Sequence, residues 1–418
     1  MTRKIFSIFN LEKNKLIYFS LLGLDKILIL CFQFYFVNYL SSESYGIFGQ
    51  TNYLSSVFQN LFMFGVAIPF IVHASNSKIS FKFFYSFFVP TSILTALIAL
   101  FTVLIFGDFF SNFFYGNTVF FKYLIILLIV LISDIFSEYL IVSNRLNNKL
   151  LQHSKFIILR SFLKVSSLII IYFVFEDFYK AFLISSILYL IYSCIYFQKT
   201  VKLYAENFVA VYLKHKNEIN KLWIDGFKFI IIYIITTTST LLINLLIINQ
   251  FDIDTLAIYN FNFMIASAPL TLVGYVSFYS LPDFSQKYSK SLNLKESNLF
   301  KDILFTSLIF ILFFITVFLL YDYIILFAED FYSNKTLFLI VFISNFIFMI
   351  NNFLQFPLLS KKKYVSLILI LGISLILNIS YLSFISKEFS IITPVVGFLI
   401  ANIFTMILLI ISHIRFNK

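Results

Sequence analysis

Apolar runs of about twenty residues recur along the whole chain, separated by short polar gaps. A hydrocarbon core about 30 Å thick takes about 20 helical residues to cross, so each run is long enough to span it. Alternating apolar and polar strands are absent, which argues against a transmembrane barrel. The pattern predicts helices over roughly 16–37, 47–71, 83–106, 119–143, 155–175, 179–198, 227–249, 255–281, 303–327, 335–358, 364–385 and 391–414. Connections are short except around residues 199–226 and 282–302. The fold class expected is all-α, a polytopic membrane protein with twelve transmembrane helices in two six-helix lobes. The lobes would be residues 1–198 and 227–418, joined by a connector over 199–226.

Composition strengthens this reading. The 418 residues are 60% hydrophobic and 21% aromatic, and only 12% are charged, half of what a soluble protein carries. The formal net charge of +11 would suit nucleic acid, but its distribution gives it another meaning. Lys and Arg crowd the N-terminus (Arg3, Lys4, Lys13, Lys15), every second connection and the C-terminus, whereas the opposite gaps hold only Lys122, Lys180, Lys335 and Lys387. By the positive-inside rule both termini are cytoplasmic, and no nucleic-acid partner is needed to explain the charge. The start MTRKIFSIFNLEKNK lacks a small-residue cleavage site, so the first span reads as uncleaved. Cys31 and Cys194 lie inside apolar runs and read as buried apolar packing.

The connector mixes Lys with Val, Leu, Phe and Trp223, the pattern of an amphipathic interfacial helix. Shifting the sequence by 211 residues lays ESYGIFGQTNYLSSV over DTLAIYNFNFMIASA, with Gly46 on Ala257 and Ser56 on Ser267. Each segment follows the first span of its half, so the repeat is parallel, an arrangement known among transporters of six plus six helices.

Charges inside the spans carry the candidate chemistry, because each costs roughly 2.5–3.5 kcal/mol at a bilayer centre. Asp134 and Glu138 share one face of the fourth span, and Arg160 and Lys164 one face of the fifth. An antiparallel hairpin turning near residue 149 puts Glu138 level with Arg160 and Asp134 level with Lys164. This predicts a two-rung ion-pair ladder, either a lock on helix register or the wall of a substrate cavity. In the first span Asp25 and Lys26 lie about halfway across, roughly 100° apart around the helix, and cannot satisfy each other. Lys26 is therefore expected to line a cavity. The second half offers neutral polarity instead: Thr236 to Thr240 (Thr237 at the place of Lys26), Asn244, Asn260, Asn262, and Asn351 to Gln355.

Other features have plainer readings. Aromatic clusters near the span ends suit interfacial belts. Gly65, Pro69, Pro269, Gly274, Pro357, Pro394 and Gly397 mark weak points in their helices. His73, His153, His215 and His413 lack metal-ligand spacing, and no phosphate-binding glycine loop occurs. Asp252 and Asp254 read as a solvated loop.

YLSSESYGIFGQTNYLSSVFQNLFMFGVAIPF resembles the first loop and second helix of polysaccharide-export flippases of the MOP superfamily, and SEYLIVSNRLNNKLLQHSKFIILRSFLKVSSLIII is similar to the family's fourth-to-fifth-helix hairpin. In the resemblance Glu43, Tyr45 and Gly46 reproduce an outer-entrance motif. It implies an alternating-access protein of the Wzx type, moving undecaprenyl-diphosphate-linked oligosaccharide, such as an O-antigen repeat unit, across the bacterial inner membrane. Substrate contacts would fall on Lys26, Arg160 and Lys164. Asp25, Asp134 and Glu138 would serve ion pairing or coupling to a proton or sodium gradient, with no cofactor. The implied partners are the bilayer, a polysaccharide polymerase and a chain-length regulator. The sequence departs from the family's cationic cavity, because its embedded charges cancel. A MATE-like exporter of small molecules and a membrane polymerase or glycosyltransferase stay open as alternatives.

Overall fold

The computed structural model describes residues 13–76, 81–147, 149–204, 208–270, 299–326, 334–384 and 390–416, with no strand among them. The first half contains α1 (Lys13–Val37), α2 (Ser42–Phe62), α3 (Ala67–Asn76), α4 (Phe81–Ile105), α5 (Gly107–Tyr115), α6 (Phe121–Leu146), α7 (Leu150–Phe175) and α8 (Phe178–Tyr204). The second contains α9 (Phe208–Gln250), α10 (Ile253–Ser267), α11 (Leu299–Leu326), α12 (Lys335–Ser360), α13 (Tyr364–Phe384) and α14 (Thr393–Phe416). Among the described residues nine helices are long and apolar enough to cross a membrane, or ten with α2 and α3 taken as one broken span. The 25-residue α1 and the start of the eighth span, α10, complete the twelve-helix, two-lobe layout. The rest of that eighth span, with Gly274, lies outside the described residues.

Each half is organised around one buried helix. In the first, α6 packs against α2, α4 and α8; in the second, α12 packs against α10, α11 and α14. Lipid tails are as apolar as Leu, so association of these helices relies on close packing and on polar groups that bond across them. Ser137 Oγ meets Tyr189 Oη at 2.8 Å, and Asn351 Nδ2 donates to the Asn402 carbonyl at 2.9 Å. Cys31 is exposed and Cys194 partly so, contrary to the buried packing expected, because both face outward from the bundle.

The second span is broken. Phe64 and Gly65 adopt φ of 55° and 57°, and the Gly65 N–H reaches back to the Asn60 carbonyl, a left-handed helix stop. The chain bends 53° and restarts as α3, whose Pro69 falls in the first turn, where no helical hydrogen bond is lost. Gly226 of α9 seats against this bend: a Cβ on Gly65 would lie 2.8 Å from the Gly226 carbonyl oxygen. Gly65→Ala should therefore lower stability by about 2–4 kcal/mol, from left-handed backbone cost plus overpacking. Thermal unfolding in detergent checks this, and an unchanged melting temperature would remove Gly65 from the role.

One element lies outside the sequence pattern. The Phe-rich α5 is a nine-residue helix lying between two spans, closed by Gly116 at φ 75°. The described end of the connector opens α9, whose backbone is kinked by non-helical geometry at His215, so Phe208–Lys214 is set off from the helix that continues into the seventh span.

The halves touch at both ends of the bundle. At the end away from the termini, α2 and α10, the two segments matched by the 211-residue shift, pack on each other. Ser42 Oγ donates to Asp254 Oδ1 there, and Asp252 caps α10 by accepting from the Thr255 N–H at 2.6 Å. At the end bearing the termini, His73 of α3 meets Asp225 of α9 at 2.9 Å, and Lys362, between α12 and α13, reaches His73 Nε2 at 2.9 Å. Burial lowers the pKa of the Lys362 ammonium, and Asp225 opposes the shift.

Candidate functional site

Between these contacts lies a cavity of about 490 Å³. Lys26 of α1 and Lys164 of α7 are the charged residues in its lining; the rest is neutral, including Asn52, Tyr53, Thr240 and Asn260. Local helix geometry explains why Lys26 faces it. Tyr18, Leu22 and Asp25, spaced as one helical stripe, are buried where α1 packs on α7. Leu24, Ile27 and Leu28 are exposed on the outer side, which leaves Lys26 at the edge between packing and lipid. Asp25 accepts from Ser161 Oγ at 3.3 Å. Lys26 makes no hydrogen bond or ion pair with a described residue.

Of the predicted ladder the Asp134–Lys164 rung forms and the Glu138–Arg160 rung does not. Asp134 collects both cations: Arg160 Nη2 donates to its Oδ1 at 2.8 Å, and Lys164 Nζ donates to Oδ1 and Oδ2 at 2.9 and 3.1 Å. Tyr189 Oη donates to Oδ1 and Ser55 Oγ to Oδ2, each at 2.7 Å. Glu138 instead accepts from Gln59 Nε2 at 3.2 Å. The reason lies in α7, where Phe162–Ser166 forms a π-helical turn. A π turn inserts an extra residue and rotates the helix beyond it, so a regular-helix register cannot be carried from Arg160 to Lys164. Arg160 is consequently drawn into the Asp134 cluster and does not line the cavity, while Lys164 does both.

The entrance residues divide similarly. Glu43 is exposed in the first turn of α2, whereas Tyr45 and Gly46 are buried against α10. Tyr45 Oη donates to Met264 Sδ at 3.6 Å, and a Cβ on Gly46 would come 2.5 Å from the Ile253 carbonyl oxygen. On the other wall Thr240, rather than Thr237, lines the cavity and bonds Tyr53 Oη at 2.7 Å. Thr237 Oγ1 turns back to the Tyr233 carbonyl. Asn244 Nδ2 donates to Gln50 Oε1 across the halves at 2.9 Å. A second cavity of about 30 Å³, wholly neutral, sits in the second half among Thr236, Ser239, Asn351, Gln355, Ser374 and Thr405.

Sequence reasoning missed Asn52, Tyr53 and Tyr189. The first two had a signal: Tyr45, Gly49, Asn52, Tyr53 and Ser56 recur at helical spacing and form one cavity-facing stripe. Tyr189 had none, being one aromatic among many in its span.

No family model and no curated relative matches the chain. Solved structures do. The MATE multidrug transporter DinF-BH is similar over 95% of each chain at 12% identity, with a TM-score of 0.67. The lipid II flippase MurJ in an inward closed conformation is similar over 95% of this chain and 87% of its own, at 16% identity and a TM-score of 0.62. An outward-facing MATE multidrug resistance transporter of the MOP superfamily matches at 14% identity over 98% of this chain and 91% of its own, with a TM-score of 0.54.

The chain shares the fold of these solved structures. Drug transporters and a lipid flippase share that fold, so the choice between such substrates rests on the cavity's own chemistry.

Proposed function

We propose that the chain is a flippase for undecaprenyl-diphosphate-linked oligosaccharide. It moves the substrate from the cytoplasmic to the periplasmic leaflet of the bacterial inner membrane by alternating access, and it is a transporter rather than an enzyme. The observation that carries this is the cavity lining: its charged residues are two lysines, and one of them, Lys26, has no hydrogen-bond or ion-pair partner among the described residues. Such an ammonium in a membrane-embedded cavity suits an anionic ligand and repels a cationic one. Amides and hydroxyls beside it suit a glycan, and the volume falls within the roughly 300–1,000 Å³ of small-ligand sites. The lobes at 1–198 and 227–418 would rock about the contacts at either end, both termini being cytoplasmic. Buried Asp25 and Asp134, with half-buried Glu138, are the carboxylates through which an ion gradient would couple.

A deletion strain tests the reading. Lipid-linked repeat units should accumulate on the cytoplasmic side while surface polysaccharide disappears. The second reading, a MATE-like exporter, is supported by the likeness to DinF-BH. It predicts intact polysaccharide and altered drug sensitivity, and that result would replace the flippase assignment.

A further inference from the structure

Asp134 is paired directly with both cations of its cluster. One carboxylate receives two cations and two hydroxyls, from α2, α7 and α8. The next carboxylate along α6, Glu138, is engaged by Gln59 and adds its field to Arg160. If Lys164 leaves, Asp134 still keeps Arg160, Tyr189 and Ser55, a neutral and satisfied pair. If Arg160 leaves, its guanidinium, which does not border the cavity, has no substrate anion to meet and is left unpaired. Lys164 is thus the surplus cation, and it borders the same cavity as Lys26.

Its backbone is equally suited to movement. Lys164 sits in the middle of the π turn Phe162–Ser166, an element frequent at functional sites. The Tyr189 ring lies under its ammonium, 4.8 Å from centroid to Nζ, so the charge has an aromatic face to ride along.

We infer that Lys164 is an exchange cation, bound to Asp134 when the cavity is empty and handed to the substrate's anionic headgroup when it is filled. The inference rests on the proposal that the substrate is anionic. Asp134 and the headgroup then compete for one ammonium, so occupancy of the cavity is signalled to α6, α2 and α8 through the loss of a single ion pair. By linkage, whatever weakens the hold of Asp134 on Lys164 must strengthen headgroup binding.

That sign is the test. The probe is farnesyl diphosphate, a short isoprenyl diphosphate, titrated calorimetrically into the purified full chain in nanodiscs. Lys164→Gln should weaken its binding about three- to tenfold, less than a free cation would contribute, because the ion pair to Asp134 must be broken first. Asp134→Asn should tighten it by a similar factor. Should that variant fail to fold, the double change Asp134→Asn with Arg160→Gln removes a cation and an anion together, leaving Lys164 free, and is also expected to tighten binding. Equal or weaker binding by a folded Asp134 variant would overturn the exchange, since a lysine of purely structural role gains nothing when its partner is lost. If the wild type binds and Lys26→Gln weakens it while Lys164→Gln does not, the exchange falls and the flippase reading stands. No binding by the wild type would overturn both.

Discussion

Lys26→Gln is expected to weaken diphosphate binding about ten- to a hundredfold, and to abolish surface polysaccharide while leaving the protein folded in the membrane. The magnitude comes from a charge-assisted hydrogen bond of about 1.5–3 kcal/mol, with each 1.4 kcal/mol worth about a factor of ten. The integrity of the fold comes from the site. Lys26 has no hydrogen bond or ion pair to a described residue, so removing it breaks none. Asp25 beside it keeps its hydrogen bond from Ser161, although it loses a favourable field. Glutamine keeps most of the side chain's length and leaves the Tyr18, Leu22 and Asp25 stripe against α7 untouched. Lipid-linked saccharide and polysaccharide from a chromosomal Lys26→Gln strain provide the measurement, with the protein level read from the membrane fraction. Normal polysaccharide would exclude Lys26 from substrate contact.

Lys26 and the four charges around Asp134 differ in how far a sequence exposes them. Mid-span charges stand out because hydrocarbon makes each one expensive, and adjacency alone shows that Asp25 and Lys26 cannot neutralise each other. The spans are legible for the same reason: a helix must satisfy its backbone internally, and twenty apolar residues declare it. The Asp134–Lys164 pair is legible from hairpin depth, but the move of Arg160 from Glu138 to Asp134 is not, because α7 carries a π turn that FLKVS does not advertise. A regular helix carries Glu138 to Arg160; the real one delivers both cations to Asp134 and leaves Glu138 to Gln59.

The internal repeat has a physical meaning that alignment alone does not supply. The matched segments are α2 and α10, and they lie against each other. A two-fold relation between lobes brings equivalent helices face to face at the axis, so residues there meet their counterparts or near neighbours. Small residues are what such a meeting requires: Gly46 and its match Ala257 are both buried at the contact. Polar pairs that join the halves beside it include Gln50 with Asn244 and Tyr53 with Thr240, bonds that water could take over on separation. On the proposed alternating-access cycle this contact would open on one side while the cluster of His73, Asp225 and Lys362 holds the other.

Gly46→Leu should therefore abolish transport with the protein still folded. A Cβ at Gly46 would lie 2.5 Å from the Ile253 carbonyl oxygen and 3.0 Å from that residue's Cγ1. The oxygen is backbone in the first turn of α10, held by the Asp252 cap, and cannot rotate away as a side chain can. At Gly49 the equivalent obstacle is the Asn260 side chain, whose amide can swing, so Gly49→Ala should be milder. Leucine at 46 would hold α2 and α10 apart and keep this end of the bundle open, while contacts inside each half persist. A cysteine pair at Ser42 and Asp254 reads the separation, because their side chains bond in the closed state. The pair should cross-link readily in an otherwise unaltered chain and fail to do so with leucine at 46. Cross-linking and transport that both survive Gly46→Leu would show that α2 and α10 do not gate the cavity.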